Sequence, residues 1–160
     1  MVYKAMEIAN YVLGYYVIEK DDFISNLKLQ KVLYFLQANH LVETGTPLFE
    51  DEIEAWDFGP VIVEVYNRYK MYGAASIPFD FIDRNHDYKK HILRKDIAIM
   101  NELLDELAPM SSTSLLETIH NQKPWKEGYF NPRYMRYVIK DGKINGVRDI
   151  TNDLLYDYFK

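Results

Sequence analysis

At 160 residues, with 48% apolar and 27% charged side chains, the chain has the length and composition of one globular domain and not of a disordered segment. It contains no cysteine, which excludes disulfides, thiolate nucleophiles and sulfur-ligated zinc and suits a reducing cytoplasm. The net charge of −5 is unevenly spread, with 6 basic and 13 acidic side chains in residues 1–83 against 13 and 11 in residues 84–160, and so acidic a chain argues against a sequence-independent grip on nucleic acid.

The first 20 residues are too often interrupted by Lys4, Glu7 and Asn10 for a secretory segment, and no run approaches a membrane span. Instead, Met6, Ala9, Val12, Leu13, Tyr16 and Val17 fall on one side of a helix predicted from Tyr3 to Ile18. Ser25 is placed to cap a second helix, Asn26 to Glu43. That helix has two apolar faces: Leu29, Val32, Leu33 and Leu36 form one, and Leu27, Tyr34, Ala38, Leu41 and Val42 the other. Strips of Gln30 with Gln37 and Lys28 with Asn39 separate them, so the helix is expected at the centre, packed on both sides.

A short extended piece is expected near 53–57, within the acidic run Glu50 to Asp57, and reads as a solvated or partner-facing edge. Gly59-Pro60 then breaks the chain, with Pro60 opening a helix from Val61 to Met71. Gly73 to Asn85 reads as a loop and Tyr88 to Ala108 as a long helix whose apolar arc is disturbed only by Asp96. Ser111 to Ser114 cap a helix from Leu115 to Asn121, Asp141-Gly142 turns a hairpin near 137–144, and Thr151 caps a last helix from Asn152 to Phe159. The fold class is therefore mainly α: a compact helical bundle of one domain, residues 1–160, with a small β element.

No constellation assembles into chemistry. Glu117 with His120, and Asp83 with His86, have the spacing of helical metal pairs but lack the further inward carboxylates such sites need. Ser111, Ser112 and Ser114 precede His120 without a nucleophile elbow, and the seven glycines form no phosphate loop. The acidic run lacks calcium-loop spacing. Asp96, a carboxylate in an apolar arc, is either paired inside the structure or placed at an interface. No catalytic residue, metal or cofactor is expected. An alternative reading is a DNA-binding regulator using helix 26–43, with Asn26, Lys28, Gln30 and Lys31 in its first turns; the two apolar faces and the negative field weigh against it.

Four stretches carry a resemblance: Ser25-Asn26-Leu27-Lys28-Leu29-Gln30-Lys31-Val32-Leu33-Tyr34-Phe35; Pro47-Leu48-Phe49; Ile53-Glu54-Ala55-Trp56-Asp57-Phe58-Gly59-Pro60-Val61; and Val65-Tyr66. Together they resemble the hallmark block of the Panacea antitoxin domain, found in SocA-like and phage-associated GepA-like proteins. His120 to Pro124-Trp125 resembles the family's second motif, although Asn121 and Gln122 stand where an acidic residue is expected. The resemblance implies a mostly helical domain that neutralises a protein toxin encoded by an adjacent gene through direct binding. Some similar proteins act as adaptors that deliver the toxin to a cellular protease, and family members are paired with unrelated toxins. By size and spacing, Leu29, Leu33, Tyr34 and Trp56 read more as core than as contact. Gly59-Pro60 has a conformational task, and Gln30, Lys31, Val61, Tyr66 and Trp125 complete the motif. Partner contact is assigned to Arg133, Tyr134, Arg136 and Tyr137, aromatic and arginine side chains of the kind that carry binding energy, with Asp96 as a further candidate.

Overall fold

The computed structural model describes residues 2–78 and 87–160. The Asp83–His86 pair and the end of the 73–85 loop lie outside the described residues. Seven α-helices are described: α1 (Ala5–Lys20), α2 (Asn26–Thr44), α3 (Val63–Tyr69), α4 (Arg94–Leu107), α5 (Ser112–His120), α6 (Lys123–Phe130) and α7 (Asn152–Phe159). Four strands, β1 (Ile53–Trp56), β2 (Gly59–Val61), β3 (Met135–Lys140) and β4 (Lys143–Ile150), form one antiparallel sheet in the order β2-β1-β4-β3.

Helix α2 is the centre of the molecule, as its two apolar faces require. It touches α1, α3, α4, α5, α7 and β2, and Leu29, Val32, Leu33 and Tyr34 are wholly buried. Its polar strips are covered too, except at Asn39, which is half-buried. Gln30 and Gln37 are fully covered, and each amide replaces a backbone partner. Gln37 Oε1 accepts from the Leu48 and Phe49 amides at 2.8 and 3.1 Å while its Nε2 donates to the Phe49 carbonyl at 2.9 Å, fastening the segment after α2 to the helix side. An irregular segment packed this deeply needs such a partner for its amides.

Three predicted caps form: Ser25, Ser111 and Thr151 each accept the backbone amide three residues on. Other expectations shift. Helix α1 begins at Ala5 and not Tyr3, because Tyr3 is extended: its amide donates to the Leu48 carbonyl and its carbonyl accepts from the Glu50 amide. Helix α4 begins at Arg94 and not Tyr88, because the Tyr3 hydroxyl accepts the Leu93 amide and holds Leu93 extended at φ −65°, ψ 142°. Gly59-Pro60 does not open a helix but forms β2, where Gly59 adopts φ 114°, a conformation open to glycine and strained for other residues. Pro60 is tolerated because β2 is the edge strand of the sheet.

Helix α6 is absent from the sequence expectations. It starts at Lys123 with Pro124 in its first turn and lies so close to β4 that a Cβ on Gly128 would meet the Asp149 carbonyl at 2.7 Å. The hairpin is longer than expected and joins β1 through Ile53↔Ile150, merging the two predicted β pieces into one sheet.

Candidate functional site

The motif residues converge on the turn between β1 and β2. From α2, Gln30 Oε1 accepts the Ile62 amide at 2.9 Å and its Nε2 donates to Asn26 Oδ1 at 2.9 Å; Asn26 in turn donates to the Tyr66 carbonyl at 3.1 Å. Lys31 lies one turn below the strand pair, with Nζ near Gly59 and donating to the Leu27 carbonyl at 3.3 Å. Only 1% of Lys31 is exposed and no carboxylate pairs with it among the described residues, so burial pulls its ammonium down to a pKa of about 8.

The second motif closes on the same turn from above. Trp125 Nε1 donates to the Trp56 carbonyl at 3.0 Å, and His120 Nε2 meets the Asp57 carbonyl at 2.9 Å, which assigns the hydrogen to Nε2. The Tyr129 hydroxyl donates to the Asp57 carboxylate, and Tyr34 donates to Gln122 Oε1 at 2.8 Å. Ring contacts add to these bonds: His120 lies tilted against Trp125 with centroids 4.2 Å apart, and Trp125 stacks on Tyr129 at 4.7 Å. Trp56 is half-buried, its ring edge-on to Tyr66 at 5.1 Å. Leu29, Leu33, Tyr34, Gly59, Pro60, Val61 and Trp125 are buried. The knot holds the turn. It brings no nucleophile against a base, and among the described residues no three His, Asp or Glu side chains gather as a metal site.

The alternative reading of helix 26–43 as a DNA-reading helix is corrected by burial. Asn26, Lys28, Gln30 and Lys31, the side chains such a helix would present, all point into the protein, and Lys28 Nζ donates to the Ala108 carbonyl at 2.9 Å. Nor is the acidic run a free edge throughout. Asp51 accepts the Ala5 amide at the start of α1, Glu54 accepts from Trp56 Nε1, and Asp57 holds Tyr129. Burial raises the Glu54 carboxyl above its ordinary range, partly opposed by Trp56 and Arg136.

Asp96 is the paired carboxylate and not an interface residue. It is 2% exposed, accepts the Tyr3 hydroxyl at 2.7 Å on one oxygen and faces His40 Nε2 at 3.0 Å with the other. His40 Nδ1 meets the Thr46 carbonyl at 2.7 Å, so each ring nitrogen faces an oxygen of another element. The triad ties the chain start, α2 and α4 together.

The other partner-contact candidates lie around the β3–β4 hairpin. Tyr137 is 71% exposed and Arg133 is exposed with its guanidinium 6.0 Å from the Tyr134 ring, whereas Arg136 is committed to Asp149 by bonds of 2.7 and 3.1 Å. Sequence reasoning missed Ile139 and Ile144, 80% and 75% exposed, and Arg148, which lies over Tyr129 at 4.7 Å. The signal was present in the alternation of Tyr137 with Ile139, which places both on one face. No helix among the described residues is long and apolar enough to cross a membrane.

A family model described as "Antitoxin SocA-like, Panacea domain" matches residues 29–126. Antitoxin SocA of Caulobacter vibrioides (strain NA1000 / CB15N) is 50% identical over 50 residues, which cover 31% of this chain and 27% of that protein. No solved structure matches the chain.

Proposed function

The chain belongs to the SocA-like, Panacea-domain antitoxin family, and on that premise we propose that it neutralises a protein toxin encoded by the adjacent gene by binding it directly, as one domain from residue 1 to residue 160. The observation that carries this reading is the family match over residues 29–126, in a chain whose motif residues are turned inward to hold a turn and not outward to act on a substrate. A frame of this kind leaves recognition to its surface. The contact is assigned to the exposed Arg133 and Tyr137 and the half-buried Tyr134 around the hairpin, since aromatic and arginine side chains carry binding energy at interfaces. Arg136 supports them through its pair with Asp149. Helices α1 and α7, outside the matched stretch, pack on α2 and favour one working unit.

The test is co-expression of the chain with the product of the adjacent gene. Relief of growth arrest together with co-purification of the two proteins supports the reading, and failure of both refutes it. Delivery of the bound toxin to a cellular protease is the second step proposed. It predicts that the toxin's half-life in cells falls when the antitoxin is present and recovers when the protease is removed.

A further inference from the structure

β4 is better supplied with partners on one side than on the other. It pairs with β3 over six residue pairs, from Met135↔Arg148 to Lys140↔Lys143, but with β1 over only Ile53↔Ile150 and Glu54↔Asp149. Beyond Asp149 the two strands part: β1 turns back at Asp57-Phe58 into β2, while β4 runs outward with β3. The gap is a cleft of about 380 Å³, with Ala55, Trp56 and Phe58 on one wall, Gly146 and Arg148 on the other, and Tyr129 between.

The backbone inside this cleft is legible from the register. Asp141 and Gly142, at φ 54° and 74°, make the two-residue turn, so Lys140↔Lys143 is a hydrogen-bonded pair and alternation makes Val138↔Asn145 and Arg136↔Val147 the next ones. Ile144 and Gly146 therefore turn their amide and carbonyl groups away from β3, Gly146 into the cleft and Ile144 two residues further along the same open edge. No strand among the described residues meets them there.

Side chains and charge indicate what fits. Tyr137 stands opposite Gly146 and Ile139 opposite Ile144, so Tyr137, Ile139 and Ile144 share one face, and all three are more than two-thirds exposed. Large apolar side chains grouped at the surface mark an interaction site. Around them stand Arg133, Lys140, Lys143 and Arg148, none in an ion pair among the described residues, with Asp141 the one acid at the tip. This is a local positive field on a chain of net charge −5. At the base of the cleft the sign reverses, at Glu54 and Asp57.

The geometry points to strand addition: an extended segment of the toxin enters the cleft and pairs with Ile144 and Gly146 of β4, its apolar residues against Tyr137, Ile139 and Ile144 and its acidic residues toward the hairpin tip. This rests on the antitoxin reading above. Main-chain bonds to an open edge supply affinity in such docking, and alternate side chains supply selectivity.

The experiment is hydrogen–deuterium exchange on the full chain, free and mixed with the purified product of the adjacent gene, resolved to single amides. The expected result is protection of Ile144 and Gly146 on mixing, with Tyr137 and Ile139 on the outer edge of β3 still exchanging. Ile144→Pro deletes one donor on the open edge of β4 while keeping both bonded pairs beside it, and weakens binding by about fivefold to tenfold more than Ile144→Ala, which removes the side chain alone, the difference being the loss of one hydrogen bond. Arg148→Glu with Lys143→Glu weakens binding further at low salt than at high salt. A complex that leaves Ile144 and Gly146 unprotected overturns the proposal, as does protection of Tyr137 and Ile139 in their place. Native mass showing only paired copies of this chain overturns it too. In all three cases, relief of growth arrest on co-expression leaves the antitoxin reading standing. Should neither complex nor relief be seen, it is the antitoxin reading that fails.

Discussion

Replacing Lys31 by methionine should stabilise the protein near neutral pH and lose that advantage as the pH rises. Burial lowers the Lys31 pKa from 10.5 to about 8. At 1.36 kcal/mol per unit, keeping the ammonium inside below pH 8 costs on the order of 3 kcal/mol. Methionine is similar in length, unbranched and content in a core. It forfeits the 3.3 Å bond to the Leu27 carbonyl, for which about 1 kcal/mol is subtracted. A net gain of about 2 kcal/mol is expected at pH 7, or a urea midpoint higher by about 1 M for a slope of roughly 2 kcal/mol/M. The sign with pH follows from proton counting. Between the folded pKa near 8 and the unfolded pKa near 10.5 the unfolded chain binds more protons, so the wild type gains stability as the pH rises through this window while Lys31→Met does not. Tyr3 and Tyr15, raised to about 12 by burial, oppose this above pH 10, but equally in both proteins. Urea unfolding of both at pH 6, 7, 8, 9 and 10 is the assay. A gap that stays constant across the series, or a variant less stable at every pH, would refute the reasoning.

Three further substitutions probe other parts of the frame. Gln37→Leu keeps the volume but leaves the buried Leu48 and Phe49 amides without their acceptor, and should cost roughly 2–4 kcal/mol in denaturant unfolding. His40→Ala removes one of the two groups bonded to buried Asp96 and should cost about 3 kcal/mol, read as a lowered thermal midpoint. Tyr137→Ala, at an exposed position, should change stability by less than about 0.5 kcal/mol. It should nevertheless weaken capture of the toxin in a pull-down; unchanged capture would remove Tyr137 from the contact.

The elements that could be read in the sequence are those whose cause is local. The caps at Ser25, Ser111 and Thr151 need only a side-chain oxygen and an amide three residues on, and the Asp141-Gly142 turn needs only two residues able to take positive φ. The central place of α2 was legible because two apolar faces leave no solvent side. What escaped depends on distant partners. Helix α6 is eight residues with a proline at its start and a glycine inside, a composition that reads as a turn until β4 is there to lie against. Gly59-Pro60 carries a helix-start signal that pairing with β1 overrides. Asp96 was visible as an anomaly in its helix, but Tyr3 and His40, which resolve it, come from other elements. Lys31 reads in the sequence as a motif residue and as a candidate DNA contact, and its burial beneath Gly59 becomes evident only when the turn is placed above it. The exposed face of the hairpin was half-read: Tyr137 was singled out, while Ile139 and Ile144 passed as ordinary strand residues.

The amides of Gln30 and Gln37 fasten the chain after α2 and the strand pair to one helix, from the inside. Segments anchored in this way do not take their shape from the hairpin tip, so the exposed residues 139–145 can change with less effect on the frame than Arg136, which pairs with Asp149, or Arg148, which lies over Tyr129. On the strand-addition reading proposed above, a chain that kept Leu29-Gln30-Lys31 and Gly59-Pro60-Val61 but exchanged its hairpin tip would turn to a different target, which makes the tip the natural segment to transplant when redirecting such a protein.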